Sequence, residues 1–324
     1  MESRIMKFGY RSLLALLCGS FSLSAAAADI QPRIIGGQYT SIDKWPGMAA
    51  IVRSPDVGAN LFNRQFCGGT LIDDQWVLSA AHCFFVEDAS GEYIKFPAES
   101  IRVVLGIDNL NSQPEELVVT NIITHENYDP RETTSPNDIA LLELANAVSD
   151  TPMRLTLDSV SAGADATVIG WGATRYDAFT QEADRYPEKL KEVDVPVVSN
   201  SVCNSSYGGL IVSSQICAGF EAGGKDSCGG DSGGPLIIES NGQLQQAGVV
   251  SYGNGCALAE FYGVYTRTSS FLDWIGQYSE DAVTPDSNGS GGSSSSGGGG
   301  ALGGLALLAL AGLGFRVGRR RGVK

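Results

Sequence analysis

The sequence predicts an all-β protein, and three observations support that class. The chain has 324 residues, of which 43% are hydrophobic and 18% charged, a composition that suits a globular protein with a substantial core. From about residue 33 to residue 279, short runs rich in Val, Ile and Leu alternate with clusters of Gly, Asn, Asp and Pro, a pattern typical of a β-sandwich or barrel. The alternation of strands with long helices that predicts a parallel sheet does not occur in this stretch.

The clearest strand candidates are apolar runs bounded by turn residues, at 76–78, 101–105, 117–123, 166–169, 236–238 and 246–251. One helical pattern follows them near the end of this region. Phe271, Leu272, Trp274 and Ile275 share one face of a short amphipathic helix.

The beginning of the chain differs in composition from this central region. Residues 1–28 predict a signal peptide, because basic residues precede an apolar run at 13–23 and small residues at 25–28. The run is too short for a stable membrane span, and Cys18 within it would be removed with it. We therefore expect an exported protein that is found outside the cell or at its surface.

The other end of the chain predicts a linker and an anchor. Residues 281–300 are rich in Gly and Ser, as in flexible linkers. Residues 301–324 are apolar at first and end in a cluster of arginines, which predicts a membrane anchor through 301–317 with a cytoplasmic basic end. The alternative is a low-complexity tail without an anchoring role.

The formal net charge of −14 argues against a nucleic-acid partner, which needs surfaces rich in Lys and Arg. An acidic surface keeps an exported protein soluble, and we expect a monomer. The alternative explanation of the charge is an acidic field that attracts basic substrates.

Six cysteines remain after removal of the signal peptide: Cys67, Cys83, Cys203, Cys217, Cys228 and Cys256. An even number in an exported chain predicts disulfides. Metal binding is the alternative, but no pair has the C-x-x-C spacing. The fifteen arrangements of three disulfides all stay open, because spacing alone does not choose among them.

The two histidines of the chain are the first candidates for chemistry. A hydrolase that works near neutral pH commonly needs a histidine base. His82 ends an apolar strand candidate and is followed by Cys83, which can tether its loop. His125 lies in a polar stretch, and we expect it on a solvated turn.

Ser232 lies in the glycine-rich stretch DSCGGDSGGP at 226–235. Glycines keep a serine accessible and let two backbone N–H groups converge, as an oxyanion hole requires. Asp138 directly precedes an apolar run, so it can be carried into the interior, where a histidine N–H would satisfy it. Taken singly, the serine stretch is an ordinary turn and Asp138 an ordinary strand-start residue.

Together these residues form a pattern that resembles the trypsin and chymotrypsin family of serine peptidases. The matching motifs are CGGTLI at 67–72, SAAHC at 79–83, GWG at 170–172 and GDSGGP at 230–235, and the chain order His82, Asp138, Ser232 is that of the family. The resemblance covers about residues 34–279 and implies a peptidase domain at 34–280. The implied fold is two packed six-stranded antiparallel β-barrels with a short C-terminal helix and the active site between the barrels.

The resemblance also implies the catalytic roles. Ser232 is the nucleophile, His82 the general base, and Asp138 the residue that orients the histidine. The N–H groups of Gly230 and Ser232 form the oxyanion hole. The expected substrates are proteins or peptides, and no metal or organic cofactor is expected.

A specificity pocket is implied in the same way. Asp226 stands at its base, where a carboxylate pairs with the Arg or Lys of a substrate. Gly253 and Gly263 form its walls, and Ser227 and Ser251 complete the substrate-binding set. The alternative for Asp226 is a solvated loop carboxylate.

An activation site and a set of disulfides are implied as well. An activating protease would cut after Arg33 and remove a propeptide at 29–33, and the freed amine of Ile34 would pair with Asp231. The implied disulfides are Cys67–Cys83, Cys203–Cys217 and Cys228–Cys256.

Three features depart from the family pattern. Tyr252 stands where a tryptophan is usual, and Ile107 replaces a carboxylate expected of a calcium ligand, so we expect no calcium there. The segment 175–192 is longer and more charged than in small trypsins. We expect it to be a solvated loop, and the alternative is a loop that restricts access.

The C-terminal tail resembles the Gly-Gly sorting signals of exported bacterial proteins, which implies a sorting protease that removes it. Two rival functions stand against peptidase activity. One is a non-catalytic homologue that only binds partners, which the intact set of His82, Asp138 and Ser232 disfavours. The other is a membrane-anchored protein whose main role is tethering.

Overall fold

The computed structural model describes residues 34–55 and 59–284. The predicted signal peptide, propeptide and apolar tail lie outside the described residues, as do Arg33 and the linker beyond Thr284. In the described part of the chain, no helix is long and apolar enough to cross a membrane.

Six antiparallel strands close the N-terminal barrel. In spatial order they are β2 (Met48–Arg53), β3 (Gln65–Asp73), β4 (Trp76–Ser79), β9 (Ala140–Leu144), β8 (Leu117–Thr124) and β7 (Ile101–Val104). Large aliphatic side chains such as Leu71, Val77 and Leu141 fill its interior. Strands β5 (Phe85–Glu87) and β6 (Tyr93–Lys95) form a separate hairpin between β4 and β7 in the chain.

Six further strands close the C-terminal barrel. In spatial order they are β14 (Lys191–Val198), β11 (Asp165–Gly170), β16 (Pro235–Ser240), β17 (Gln243–Tyr252), β18 (Gly263–Arg267) and β15 (Gln215–Ala218), and β15 pairs back onto β14. The short strands β1 (Gln38–Tyr39) and β10 (Arg154–Leu155) add to β14 and β17. Strands β12 (Arg175–Asp177) and β13 (Glu182–Asp184) pair only with each other, and we call them the β12–β13 hairpin.

The helices are short. They are α1 (Leu61–Arg64), α2 (Asn200–Tyr207) and α3 (Leu272–Ile275), with 3₁₀ turns at Ile42–Lys44, Ala81–Phe84, Ala98–Ser100, Thr268–Ser270 and Asp281–Val283. The Ser199 hydroxyl caps α2 by accepting from the Val202 N–H at 3.2 Å, and Gly208 ends it at φ 63°. Helix α3 packs Trp274 and Ile275 into the core of the N-terminal barrel.

The fold predicted from the sequence is confirmed. Each of the six apolar runs forms a strand, although the run 101–105 extends one residue past the end of β7. The C-terminal helix is present, and both barrels close with antiparallel strands. The barrels are joined by a second apolar cluster, in which Met48 and Val104 of one barrel meet Ile169 and Ile237 of the other. This buried contact holds residues 34–284 in one compact unit.

The backbones of the two barrels are in contact where β3 meets the turn that carries Ser232. A Cβ on Gly68 would lie 3.0 Å from the Gly234 Cα, so a side chain there would push the two backbones apart. The Gly68 N–H donates to the Ser232 carbonyl at 2.8 Å. The barrel junction therefore positions the serine turn against the strand of the opposite barrel.

Candidate active site

Strand register brings His82 and Asp138 together. Ser79 at the end of β4 pairs with Ala140 at the start of β9. His82 follows β4 and Asp138 precedes β9, so the two side chains meet at the same edge of the barrel. The His82 Nδ1 lies 2.7 Å from the Asp138 Oδ2, and the His82 backbone N–H donates to the Asp138 Oδ1 at 2.8 Å.

Two residues of the C-terminal barrel hold Asp138 from the other side. The Ser251 hydroxyl donates to the Asp138 Oδ2 at 2.6 Å, and the Thr266 hydroxyl donates to the Asp138 carbonyl at 2.7 Å. Asp138 is buried, and both of its carboxylate oxygens have hydrogen-bond partners. Ser251, which the sequence placed among the substrate-binding residues, lies beside the pocket described below but uses its hydroxyl to bind Asp138.

The environment sets the charges of this pair. Burial on its own would lower the pKa of His82, but the charge and hydrogen bond of Asp138 outweigh it and raise that pKa above the ordinary 6.5. Burial would raise the pKa of Asp138, yet His82 and the Ser251 hydroxyl hold it below its usual 3.8. An ionised carboxylate thus faces a histidine whose side chain is 32% exposed to the cleft and can accept a proton.

The turn around Ser232 depends on glycines with left-handed backbone. Gly230 has φ 97° and Gly233 has φ 79°, a region that side chains disfavour. The Gln65 amide donates to the Gly230 carbonyl at 3.0 Å, and the Cys83 Sγ lies 3.7 Å from the Ser232 carbonyl. The structure therefore places the Ser232 turn directly beside the loop that carries His82.

Asp231 lies next to Ser232 and is completely buried. Its carboxylate accepts the N–H groups of Gly172 at 2.7 Å and Cys228 at 2.9 Å. A Cβ on Gly170 or Gly172 would collide with that carboxylate, so the GWG motif leaves the space it occupies. Burial raises the pKa of Asp231 to about 7.

The segment that follows Arg33 is also seated in the domain. The Ile34 side chain is completely buried in the core of the C-terminal barrel, where Val168 and Val193 belong to the same cluster. The Ile35 carbonyl accepts the Asp226 N–H at 3.2 Å. The first described residues therefore contact the backbone of the pocket segment.

A cavity of about 260 Å³ opens beside Ser232. Asp226, Ser227, Ser251, Gly253 and Gly263 line it, together with Tyr176, Gly255 and both cysteines of the Cys228–Cys256 disulfide. The five residues predicted for substrate binding are thus brought together around one pocket.

The carboxylate of Asp226 is buried in the wall of this cavity. The Ala257 N–H donates to its Oδ2 at 2.9 Å, and the Ser227 Oγ lies 3.5 Å from its Oδ1. A Cβ on Gly263 would lie 2.8 Å from the same carboxylate, so glycine keeps the cavity open there. Burial raises the pKa of Asp226 to about 7. The alternative of a solvated loop carboxylate does not hold.

Three disulfides link the described cysteines, and they are the same pairs that the resemblance implies. They are Cys67–Cys83, Cys203–Cys217 and Cys228–Cys256. In the described part of the chain, one group of potential metal ligands lies close together, namely Cys67, His82 and Cys83. Its two sulfurs are joined in a disulfide, so neither offers the thiolate that a metal requires.

The expected environment of His125 is wrong. Its side chain is only 11% exposed, and its ring lies 5.3 Å from the ring centroids of both Phe271 and Trp274. Burial lowers its pKa below 6.5 despite the nearby Glu126. The polar sequence around His125 concealed its packing against α3, which is distant in the chain.

Ile107 stands at the position where the family pattern has a carboxylate ligand for calcium. It packs with Leu110 and Val104 in the apolar cluster between the barrels. An aliphatic side chain in that cluster has no oxygen to offer a cation.

The segment 175–192 is only partly the solvated loop that was expected. Arg175 and Asp184 form an exposed ion pair, and Phe179 at the end of the β12–β13 hairpin is 95% exposed. Tyr176, however, lines the pocket, and Tyr186 lies against the Ser232 turn. Sequence reasoning missed both tyrosines, and the one available signal was the pair of consecutive glycines at 229 and 230 that faces Tyr186.

Two β-barrels with a His–Asp pair at their junction and a glycine-flanked serine beside it define a class of serine hydrolases. Comparison with known proteins narrows this class. The family model described as Trypsin matches residues 34–275. Trypsin II-P29 of Gallus gallus and serine protease 1 of Rattus norvegicus are each 42% identical over 217 residues, which are 65% of this chain and 78% of each relative. Trypsin of Sus scrofa is 40% identical over 256 residues, 77% of this chain and 96% of that protein.

The chain therefore belongs to the trypsin family. It is a trypsin-like serine endopeptidase that acts on protein or peptide substrates.

Proposed function

We propose that this endopeptidase is exported, cleaves peptide bonds after Arg or Lys, and becomes active when its own chain is cut after Arg33. The observation that carries the specificity is the buried carboxylate of Asp226 in the wall of the cavity beside Ser232.

The catalytic steps follow from the arrangement around Ser232. The Ser232 Oγ attacks the scissile carbonyl carbon while the His82 Nε2 takes its proton, and Asp138 stabilises the imidazolium that forms. The carbonyl oxygen becomes an oxyanion that the N–H groups of Gly230 and Ser232 bind. His82 then protonates the departing amine, which leaves an acyl group on Ser232, and water releases this group as a carboxylate by the same route.

Specificity follows from the cost of leaving Asp226 without a partner. A substrate Arg or Lys brings a cation to this buried carboxylate, whereas an apolar side chain would cover it without neutralising it. Because a nearby cation favours the ionised form, binding should lower the pKa of Asp226 from about 7. Glycines at positions 253 and 263 leave room for a long side chain to reach it.

Activation follows from the position of Ile34 and the state of Asp231. Cleavage after Arg33 creates an ammonium group on Ile34, the first residue of a segment that is seated beside the pocket. Asp231 is a buried carboxyl that gains stability from a cationic partner. An ion pair between the two would hold the Ser232 turn in its working conformation, an order–disorder switch set by one cut.

The proposed localisation rests on the disulfides and on the two ends of the sequence. Three disulfides are typical of proteins in oxidising compartments. Residues 1–28 serve as the signal peptide and 29–33 as the propeptide of the peptidase domain 34–280. Residues 281–300 link that domain to an anchor in 301–324, which a sorting protease removes. In expressing cells that lack the sorting protease, fractionation should place the full chain in membranes and a chain without residues 301–324 in the medium.

A substrate panel tests the peptidase proposal. The chain cleaved after Arg33 should hydrolyse peptides ending in Arg or Lys at the scissile bond, the uncleaved chain should be nearly inactive, and Ser232→Ala should be inactive in both forms. A preference for aromatic peptides would overturn the role of Asp226. Equal activity before and after cleavage would overturn the role of Ile34.

A further inference from the structure

The β12–β13 hairpin reaches the Ser232 turn from outside the two barrels. Its base is closed by Thr174, whose backbone N–H and hydroxyl donate to the Arg185 carbonyl at 3.2 Å and 2.6 Å. The residues just outside this closure are Ala173 and Tyr186. The closed base therefore fixes where those two residues stand relative to the barrel.

Both of these residues contact the consecutive glycines that precede Asp231. The Ala173 N–H donates to the Gly229 carbonyl at 2.8 Å. Because a peptide unit is planar and trans, fixing that carbonyl points the Gly230 N–H in the opposite direction. The proposed oxyanion donor is thus oriented by one hydrogen bond from the hairpin base.

Tyr186 lies beside the same peptide. A Cβ on Gly230 would lie 3.4 Å from the Tyr186 Cε1, and a Cβ on Gly229 would lie 3.5 Å from the Tyr186 hydroxyl. The tyrosine ring is therefore in van der Waals range of the places where side chains would stand. With 48% of its surface exposed, Tyr186 packs on the turn and is not part of a barrel core.

Two adjacent glycines form a backbone that can rotate at low cost. In this chain, the restraint that side chains would give must come from a neighbour. We propose that Tyr186 is a positioning residue that holds the Gly229–Gly230 peptide with its N–H directed at the substrate oxyanion. This inference rests on the proposed roles of Gly230 and Ser232.

The experiment compares turnover with pocket binding in the chain cleaved after Arg33. We expect Tyr186→Ala to lower kcat about 10-fold, as it would if the correctly oriented peptide were populated in one-tenth of molecules. Binding of benzamidine, a small cation that reaches Asp226 without an oxyanion, should change less than twofold. Binding of a peptide aldehyde ending in Arg, which forms a tetrahedral adduct, should weaken in step with kcat/KM.

Two variants serve as controls within the same hairpin. Tyr186→Phe keeps the ring and should keep kcat near wild type. Phe179→Ala removes an aromatic ring that is 95% exposed and should have no effect. If Tyr186→Phe lowers kcat as much as Tyr186→Ala does, the hydroxyl acts on its own and the positioning role is overturned. Parallel loss of benzamidine binding would equally overturn it, because the whole pocket would then have collapsed.

A second substitution gives a test by rescue. At Gly229, whose φ is not in the left-handed region, a Cβ would meet only Ala183 and Tyr186 at 3.5 Å, an ordinary contact distance. An alanine there restricts the backbone directly, so Gly229→Ala should restore part of the kcat that Tyr186→Ala loses. An unchanged kcat in Tyr186→Ala would refute the inference, and so would a lowered kcat that Gly229→Ala does not raise. Ser232-dependent activity of the wild type tests the proposed function separately.

Discussion

The buried carboxyl of Asp231 makes the stability of the uncleaved chain depend on pH. In the unfolded chain this carboxyl ionises near its ordinary pKa of 3.8, but in the folded, uncleaved chain burial raises the pKa to about 7. The folded state therefore binds more protons between these two values. The stability that protonated Asp231 contributes is fully present below about pH 4 and is lost as the pH rises through 7.

The size of the effect follows from the shift. A change from 3.8 to about 7 corresponds to about 4 kcal/mol of unfolding free energy as an upper limit. Asp231→Asn keeps the shape and cannot ionise. Between pH 4 and pH 8, the unfolding free energy of the uncleaved Asp chain should fall by up to about 4 kcal/mol more than that of the uncleaved Asn variant. Asp226 has a similarly raised pKa but is present in both chains, so its contribution cancels.

Denaturant unfolding with intact disulfides measures the unfolding free energy of both chains as a function of pH. Ser232→Ala in both chains prevents self-digestion. After cleavage with an Arg-specific protease, the order of the two chains in unfolding free energy should reverse at pH 8, and the Asp chain should be the more stable. The reason is that the Ile34 ammonium can pair with Asp231 but not with Asn. If both uncleaved chains have the same pH dependence, the buried carboxyl is already neutralised by another group and the reasoning fails. If no reversal follows cleavage, the Ile34 amine does not reach Asp231.

Three further predictions concern activity of the cleaved enzyme. Replacing Asp226 with Ser should lower kcat/KM for Arg peptides by about 200- to 5,000-fold, since breaking a buried charge pair costs about 3–5 kcal/mol. An unchanged preference for Arg over Phe peptides would contradict this. The kcat/KM should fall as the pH drops through the raised pKa of His82. Asp138→Asn should move this acidic limb of the pH profile to lower pH. A limb that stays in place would exclude His82 as the titrating base. Tyr176→Ala should weaken benzamidine inhibition about 5-fold, as expected for roughly 40 Å² of lost apolar contact. Tyr176→Phe should leave inhibition unchanged. Equal inhibition constants in all three enzymes would show that Tyr176 does not contribute to binding in the pocket.

Local sequence patterns were sufficient to locate the strands but not to pair them. Apolar runs such as 117–123 and 246–251 became β8 and β17 because their side chains must leave water, which depends on local sequence. Closure of each barrel depends on contacts between distant segments, such as Ala50 of β2 with Val104 of β7 and Ala166 of β11 with Ile238 of β16. Periodicity contains no information about such contacts, and here the resemblance to a known family supplied it.

The same distinction applies to the site. Asp138 was predictable because a carboxylate directly before an apolar strand is carried inward, and strand pairing then brings it to His82. His125 was placed wrongly because its partners Phe271 and Trp274 lie about 150 residues away in the chain. Tyr186 was missed for a similar reason, because its contact surface is a pair of glycines, and glycines give no side-chain signal.

One short segment connects the proposed activation site to the proposed oxyanion hole. Two consecutive backbone N–H groups, of Gly172 and Ala173, bind the Asp231 carboxylate and the Gly229 carbonyl. We expect a change at Asp231 that moves the Gly172 N–H to move the Ala173 N–H as well, because these groups belong to adjacent peptide units that meet at the Gly172 Cα. An ion pair formed at Asp231 can thus act on the oxyanion donor through two adjacent residues, Gly172 and Ala173, without a rearrangement of either barrel. Tyr186 restrains the same Gly229–Gly230 peptide. The Ile34 amine, the Asp231 carboxylate and the hairpin would therefore all act on one peptide bond.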